Sequence, residues 1–152
     1  MDVTRKAATA FDHKKLQING NYINGFSIGE KVSSVLKSMS VTNGTLKVLN
    51  SSKKEKKSTD IIATGDYITV YDADGKVFKQ YQAVLYGDVD GDGEVNIFDH
   101  TEVKIHCWYA PSLTGAYLEA ANVDTSSEGV DIFDMVEIKI YMWYNGTIKQ
   151  TR

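Results

Sequence analysis

The sequence predicts an α+β protein: a small β-rich N-terminal module with one helix over residues 1–86, then an all-α pair of loop–helix repeats over residues 87–152. Three observations lead there. The first is a step in charge, with 13 Lys/Arg against 8 Asp/Glu up to residue 86 and 4 against 12 beyond it, a shift that marks a candidate boundary. The second is a set of β-branched and aromatic runs in the basic half, bounded by Asn-Gly, Thr-Gly and Asp-Gly turns. The third is a thirteen-residue segment of the acidic half that returns 35 residues later with eight positions unchanged.

The strand signals are residues 15–18, 45–49, 67–71 and 77–86. Asp74-Gly75 between the last two reads as a type I′ hairpin turn, whose central residues both take positive φ. Val32, Val35 and Leu36 recur at helical spacing and predict a helix within residues 28–39. Residues 51–59, rich in Ser and Lys, read as a solvated loop. The segment 21–26, with Tyr22 and Phe26, has an aromatic character that could suit a sugar, although a plain hairpin explains it better. Asn43-Gly44-Thr45 and Asn145-Gly146-Thr147 match the glycosylation sequon, and turns account for both. No linker rich in Pro or Ser separates the halves, so Leu85 and Tyr86 are expected to be buried at a rigid junction.

Composition excludes several classes. The 152 residues are 42% apolar and 24% charged, as in a globular protein, and carry a net charge of −3 that argues against nucleic-acid binding. No run approaches the roughly 20 apolar residues of a membrane span. Met1 to Lys6 has no apolar stretch behind its charges, so no signal peptide is visible. The single cysteine, Cys107, leaves no internal disulfide and no Cys-based zinc site.

Within the acidic half, residues 88–99 fit the twelve-residue calcium loop. Asp88, Asp90 and Asp92 stand at positions 1, 3 and 5, Glu94 at 7 offers its carbonyl, Asn96 stands at 9 and Asp99 closes the shell at 12. Gly93 at position 6 permits the sharp turn, and Val95 points back to the core. The second loop, residues 122–134, is one residue longer. Counting forward gives Asn122, Asp124 and Ser126 as ligands, and counting back gives Asp131 and Asp134, with the extra residue within 126–129. Its lower ligand charge implies weaker binding. Two calcium ions are therefore expected, the first held more tightly.

A helix follows each loop. The first should stop near Ala110-Pro111, because proline cannot continue it, and the second at Asn145-Gly146. This tandem of calcium loop plus helix, with aspartate closing each loop, resembles a dockerin over residues 87–146. The resemblance implies two calcium-binding helices with a short middle helix within residues 113–121. It also implies a non-catalytic module of cellulosome-like, polysaccharide-degrading assemblies, secreted to the bacterial cell surface. Its partner would be a cohesin module, and the chain would otherwise be a monomer. Residues 1–86 are similar in placement to the X-modules that precede some dockerins.

The repeat also suggests which face meets the partner. At about 100° per residue, the unchanged positions other than Asp99 fall within an arc of about 160°, and the changed positions lie opposite, with 101 alone crossing over. The unchanged arc presents Ile97, Phe98, Lys104, Ile105, Trp108 and Tyr109, repeated as Ile132, Phe133, Lys139, Ile140, Trp143 and Tyr144. The changed side carries Val103 against Ile138 and Cys107 against Met142, swaps that a core absorbs by repacking. One partner reading either copy accounts for two matched faces, as in the dual binding mode of dockerins; packing of the first stripe on the N-terminal module is the alternative. His100 and His106 share a helix side without a third zinc ligand in reach. No nucleophile, paired catalytic carboxylate or phosphate loop is present, so no enzymatic activity is expected. Two other readings stay open: carbohydrate binding in residues 1–86, and a calcium sensor or buffer. The aspartates that close the loops and the missing entering helix count against the sensor.

Overall fold

The structure, a computed structural model, describes residues 8–152; the N-terminal residues searched above for a leader lie outside it. Short strands β1 (Ala10–Asp12), β2 (Gln17–Asn19) and β3 (Tyr22–Asn24) lead to helix α1 (Val32–Lys37). Next come β4 (Ser40–Thr42), β5 (Gly44–Leu49), β6 (Tyr67–Asp72) and β7 (Val77–Ala83). The remainder holds helices α2 (Ile97–Trp108), α3 (Gly115–Ala121) and α4 (Ile132–Tyr144). β1 and β4 form an antiparallel pair, and the other five strands form one sheet in the order β2-β3-β7-β6-β5. That sheet is mixed, because β3 runs parallel to β7 while the other neighbours are antiparallel.

Burial on both faces explains the interior place of β6. Ile68 enters a cluster with Leu16, Ile23, Phe26, Val32, Val35 and Ile62, Val70 is fully buried as well, and burial of each such side chain is worth about 1.5–3 kcal/mol. Thr69, between them, is also buried and accepts a hydrogen bond from the Gln80 amide. The β6–β7 turn departs from type I′. Only Gly75 has positive φ, because the Asp72 carboxylate accepts the N–H groups of Asp74 and Lys76 and stabilises a wider loop. Phe26 and Ile23 are buried, so residues 21–26 supply core and a strand rather than a sugar-facing surface.

The expectation of a β-rich module followed by an all-α pair is corrected. Among the described residues, seven strands and four helices form an α+β fold in which the helices do not make a core of their own. The cluster beneath them joins Val103 of α2, Ala116 and Ala120 of α3 and Ile138 of α4 to Val84 and Tyr86, which continue from β7, and to Tyr22 of β3. The reason is the stretch after β7. Val84 donates its N–H to the Ile23 carbonyl, which fixes an extended course whose successive side chains point to opposite sides. Leu85 therefore enters the sheet cluster, and Val84 and Tyr86 the helical one.

The C-terminal stretch seals this junction. The Gln150 amide brackets the Tyr86 backbone, accepting its N–H and donating to its carbonyl, each at 2.8 Å. Arg152 lies 4.3 Å over the Tyr86 ring and donates to the carbonyls of Asn122 and Val123.

Candidate metal centres and the duplicated helical face

Loop 1 is built around two buried carboxylates. Asp88 accepts four backbone N–H groups: Thr64 at 2.8 Å and Gly93 at 3.0 Å on Oδ2, Gly91 at 2.9 Å and Asp92 at 3.0 Å on Oδ1. Asp99 accepts Val89 and Asp90 on Oδ1 and Asn96 on Oδ2. Asp88, Asp90 and Asp99 bring carboxylate oxygens within 4.8 Å of one another, the one such group among the described residues. Burial lifts Asp88 to about 7 and Asp99 to about 6. Ionised groups so placed lack water to screen them, and a divalent cation offsets that cost. An oxygen-only donor set suits a hard cation. Asp92 stands outside the triad, with Oδ1 accepting the Glu94 N–H, and Glu94 is exposed. Gly93 has the positive φ its position requires, and Val95 packs into the helical core.

Loop 2 repeats this frame with one residue more. Asp134 accepts Asp124 N–H on Oδ1 and Asp131 N–H on Oδ2, as Asp99 does for Asp90 and Asn96. The hydroxyl of Ser126 bonds to Asp124, and that of Ser127 to Asp131. At the first ligand position Asn122 Oδ1 is buried without a hydrogen-bond partner. An orphaned buried oxygen is costly, and a bound cation would satisfy it. Loop 1 thus gathers Asp88, Asp90 and Asp99 of its expected set, with Asp92, Asn96 and the Glu94 carbonyl nearby, in an arrangement that could hold a hard cation. In loop 2 the oxygen donors Asn122, Asp124, Ser126, Asp131 and Asp134 suit the same ion, but its carboxylates are not drawn into such a group.

Asn96 and Asp131 also cap helices. Each accepts the N–H two residues on, from Phe98 and Phe133, while Asp99 and Asp134 reach back to the cap backbone. The capping-box spacing was present in the sequence. The closing aspartate thus joins a loop to its helix in each repeat.

The unchanged face is exposed in both helices, and to matching degrees. Phe98 and Phe133 are 66% and 59% accessible, Trp108 and Trp143 55% and 59%, Tyr109 and Tyr144 75% and 72%. Ile97, Ile105, Ile132 and Ile140 are exposed as well. Lys104 and Lys139 each extend over the tryptophan of their own helix, at 5.6 and 5.4 Å. The first stripe is therefore not packed on the strands. Val103 and Ile138 are fully buried, and Cys107 and Met142 pack beside them. A groove of about 180 Å³ between the helices is lined by His100, Lys104, Trp108, Met135, Val136 and Lys139. Burial, then the charges of Lys139 and Lys104, lower the pKa of His100. His106 Nδ1 accepts the N–H groups of Ser112 and Leu113 and so serves the turn after α2.

Thr64, Gln150 and Arg152 carry no sequence signal, because each acts across a long separation. A scan against protein-family models, a search of curated proteins and a search of solved structures each found no match. Among the described residues no helix is long and apolar enough to cross a membrane.

Proposed function

We propose that this chain is a calcium-dependent, non-catalytic adaptor of the dockerin kind, which binds a cohesin module and anchors its parent protein in an extracellular polysaccharide-degrading assembly. The observation that carries this reading is the duplicated apolar face. Two helices expose the same large side chains to the same extent, while Val103 and Ile138, which differ between them, are fully buried with Cys107 and Met142 packed beside them. Contiguous exposed apolar surface of this kind marks an interaction site. Calcium would neutralise the loop carboxylates and so fix the start of each helix, from which Phe98 and Phe133 project. The burial of Phe26 and Ile23 counts against a sugar-facing role for residues 21–26.

The test is a binding screen of the full chain against a panel of cohesin modules, in calcium and in excess chelator. Binding should require calcium. Phe98→Ala and Phe133→Ala should each change affinity less than about threefold, and the double variant should lose about thirtyfold or more, as for an aromatic anchor worth ~2 kcal/mol. Binding that survives the double variant, or chelation, would refute the reading.

A further inference from the structure

The two loops differ in what stands beside them. Residues 61–65, between β5 and β6, press on loop 1. Thr64 N–H is the one donor to Asp88 that comes from outside the loop, and Thr64 is fully buried. Its hydroxyl accepts the Leu85 N–H at 3.0 Å and donates to the Leu85 carbonyl at 3.2 Å. That carbonyl also accepts the N–H of Asp88. Thr64 thus fixes both the turn entering the loop and the carboxylate at its first position. The glycines show how close the contact is. A Cβ on Gly91 would stand 2.8 Å from the Thr64 carbonyl oxygen, and one on Gly93 would stand 2.8 Å from that of Ile62 and 2.7 Å from Ile61 Cδ1. Loop 2 has no such neighbour at its own glycine: a Cβ on Gly129 would meet nothing within 4 Å.

We propose that residues 61–65 form the inner wall of the first cation site, behind Gly91 and Gly93, so that loop 1 holds its ion rigidly and releases it slowly, whereas loop 2, braced from outside where Arg152 meets the carbonyls of Asn122 and Val123, exchanges its ion faster. The inference rests on the calcium reading of the loops and adds to it a role for Thr64 as a positioning residue. It acts through Asp88 and need not touch the ion. It also assigns the loops different tasks: a permanent structural ion in the first, and an ion in the second that follows the calcium level outside.

The experiment uses the full chain loaded with calcium and mixed rapidly with excess fluorescent chelator. Two release phases of one ion each are expected, and Asp134→Ala should remove the fast one. Thr64→Ala should speed the slow phase about tenfold, the equivalent of one hydrogen bond, and leave the fast phase unchanged. Thr64→Ser, which keeps the hydroxyl, should restore the slow rate. If Thr64→Ala does not fold by near-ultraviolet dichroism, Ile61→Ala opens the same wall from its edge and should also speed the slow phase alone. A slow phase unmoved by these changes, or one release rate for both loops in the unaltered chain, overturns the wall while leaving two bound ions in place. An unaltered chain that takes up no calcium rejects the calcium reading itself.

Discussion

Loop 1 and loop 2 share a frame and differ in their surroundings, and the difference separates what the repeat encodes from what its context adds. In both, a buried aspartate ties the loop backbone to the first turn of a helix. In loop 1 the first ligand is a carboxylate held by four N–H groups, one of them borrowed from residue 64. In loop 2 it is an amide whose oxygen has no partner. Duplication supplied two copies of a local device, and tertiary contacts hold them differently: Thr64 reaches the first carboxylate of loop 1, whereas Arg152 reaches only the carbonyls of Asn122 and Val123 in loop 2.

Substitutions matched between the loops sharpen that contrast. The largest effect is expected at the closing aspartates. Asp99→Ala strands the N–H groups of Val89, Asp90 and Asn96, and at about 1–3 kcal/mol for each buried donor left without a partner it should cost roughly 3–5 kcal/mol in calcium. Asp134→Ala should cost about half as much, because neither the Asp124 nor the Asp131 N–H is as fully buried as the Val89 N–H that Asp99 satisfies. Equal losses in denaturant titrations would mean that the surroundings add nothing.

The glycines come next. Gly93 and Gly129 both have positive φ, +88° and +83°, so alanine at either carries a conformational cost of about 1–2 kcal/mol. At Gly93 the new methyl must also displace Ile61 or the Ile62 carbonyl, which adds overpacking of about 1–3 kcal/mol. Gly93→Ala should therefore lower the urea midpoint clearly more than Gly129→Ala. Identical midpoints would show that the loop and the 61–65 segment part at little cost.

The smallest effect is expected at Asn122. Without calcium, Asn122→Ala removes an unsatisfied buried oxygen and should leave stability unchanged within about 0.5 kcal/mol or raise it slightly. In calcium the same change should weaken the lower-affinity site severalfold by calorimetry, and Asn122→Asp should strengthen it, since affinity follows ligand charge. A variant with two unchanged affinities would remove Asn122 from the ligand set.

Features encoded by local spacing were legible in the sequence. The loop 1 pattern placed Asp88 and Asp99 together, helical period separated buried Val103 and Ile138 from the exposed tryptophans, and the missing linker foretold buried Leu85 and Tyr86. Non-local pairing was not legible. Nothing in Tyr22 to Asn24 announces a parallel neighbour in β7, because a three-residue strand has no periodicity to read. The expectation of a separate all-α unit failed for a related reason: alternation within residues 84–86 sends neighbouring side chains into different clusters, and no charge count reveals that. The Asp74-Gly75 turn was misread because the Asp72 side chain supplies bonds that a two-residue turn would have made from its backbone.

The bracket that Gln150 places on Tyr86 spans 64 positions of the chain. The ribosome releases residues 150 and 152 after every group they hold. Closing a loop of that length costs conformational entropy that grows only slowly with length, and most of that cost falls away once the intervening helices have docked. A bracket that closes after the folding transition state would govern how rarely the finished molecule opens more than how quickly it forms, and the tail would then act as a latch on the lifetime of the fold.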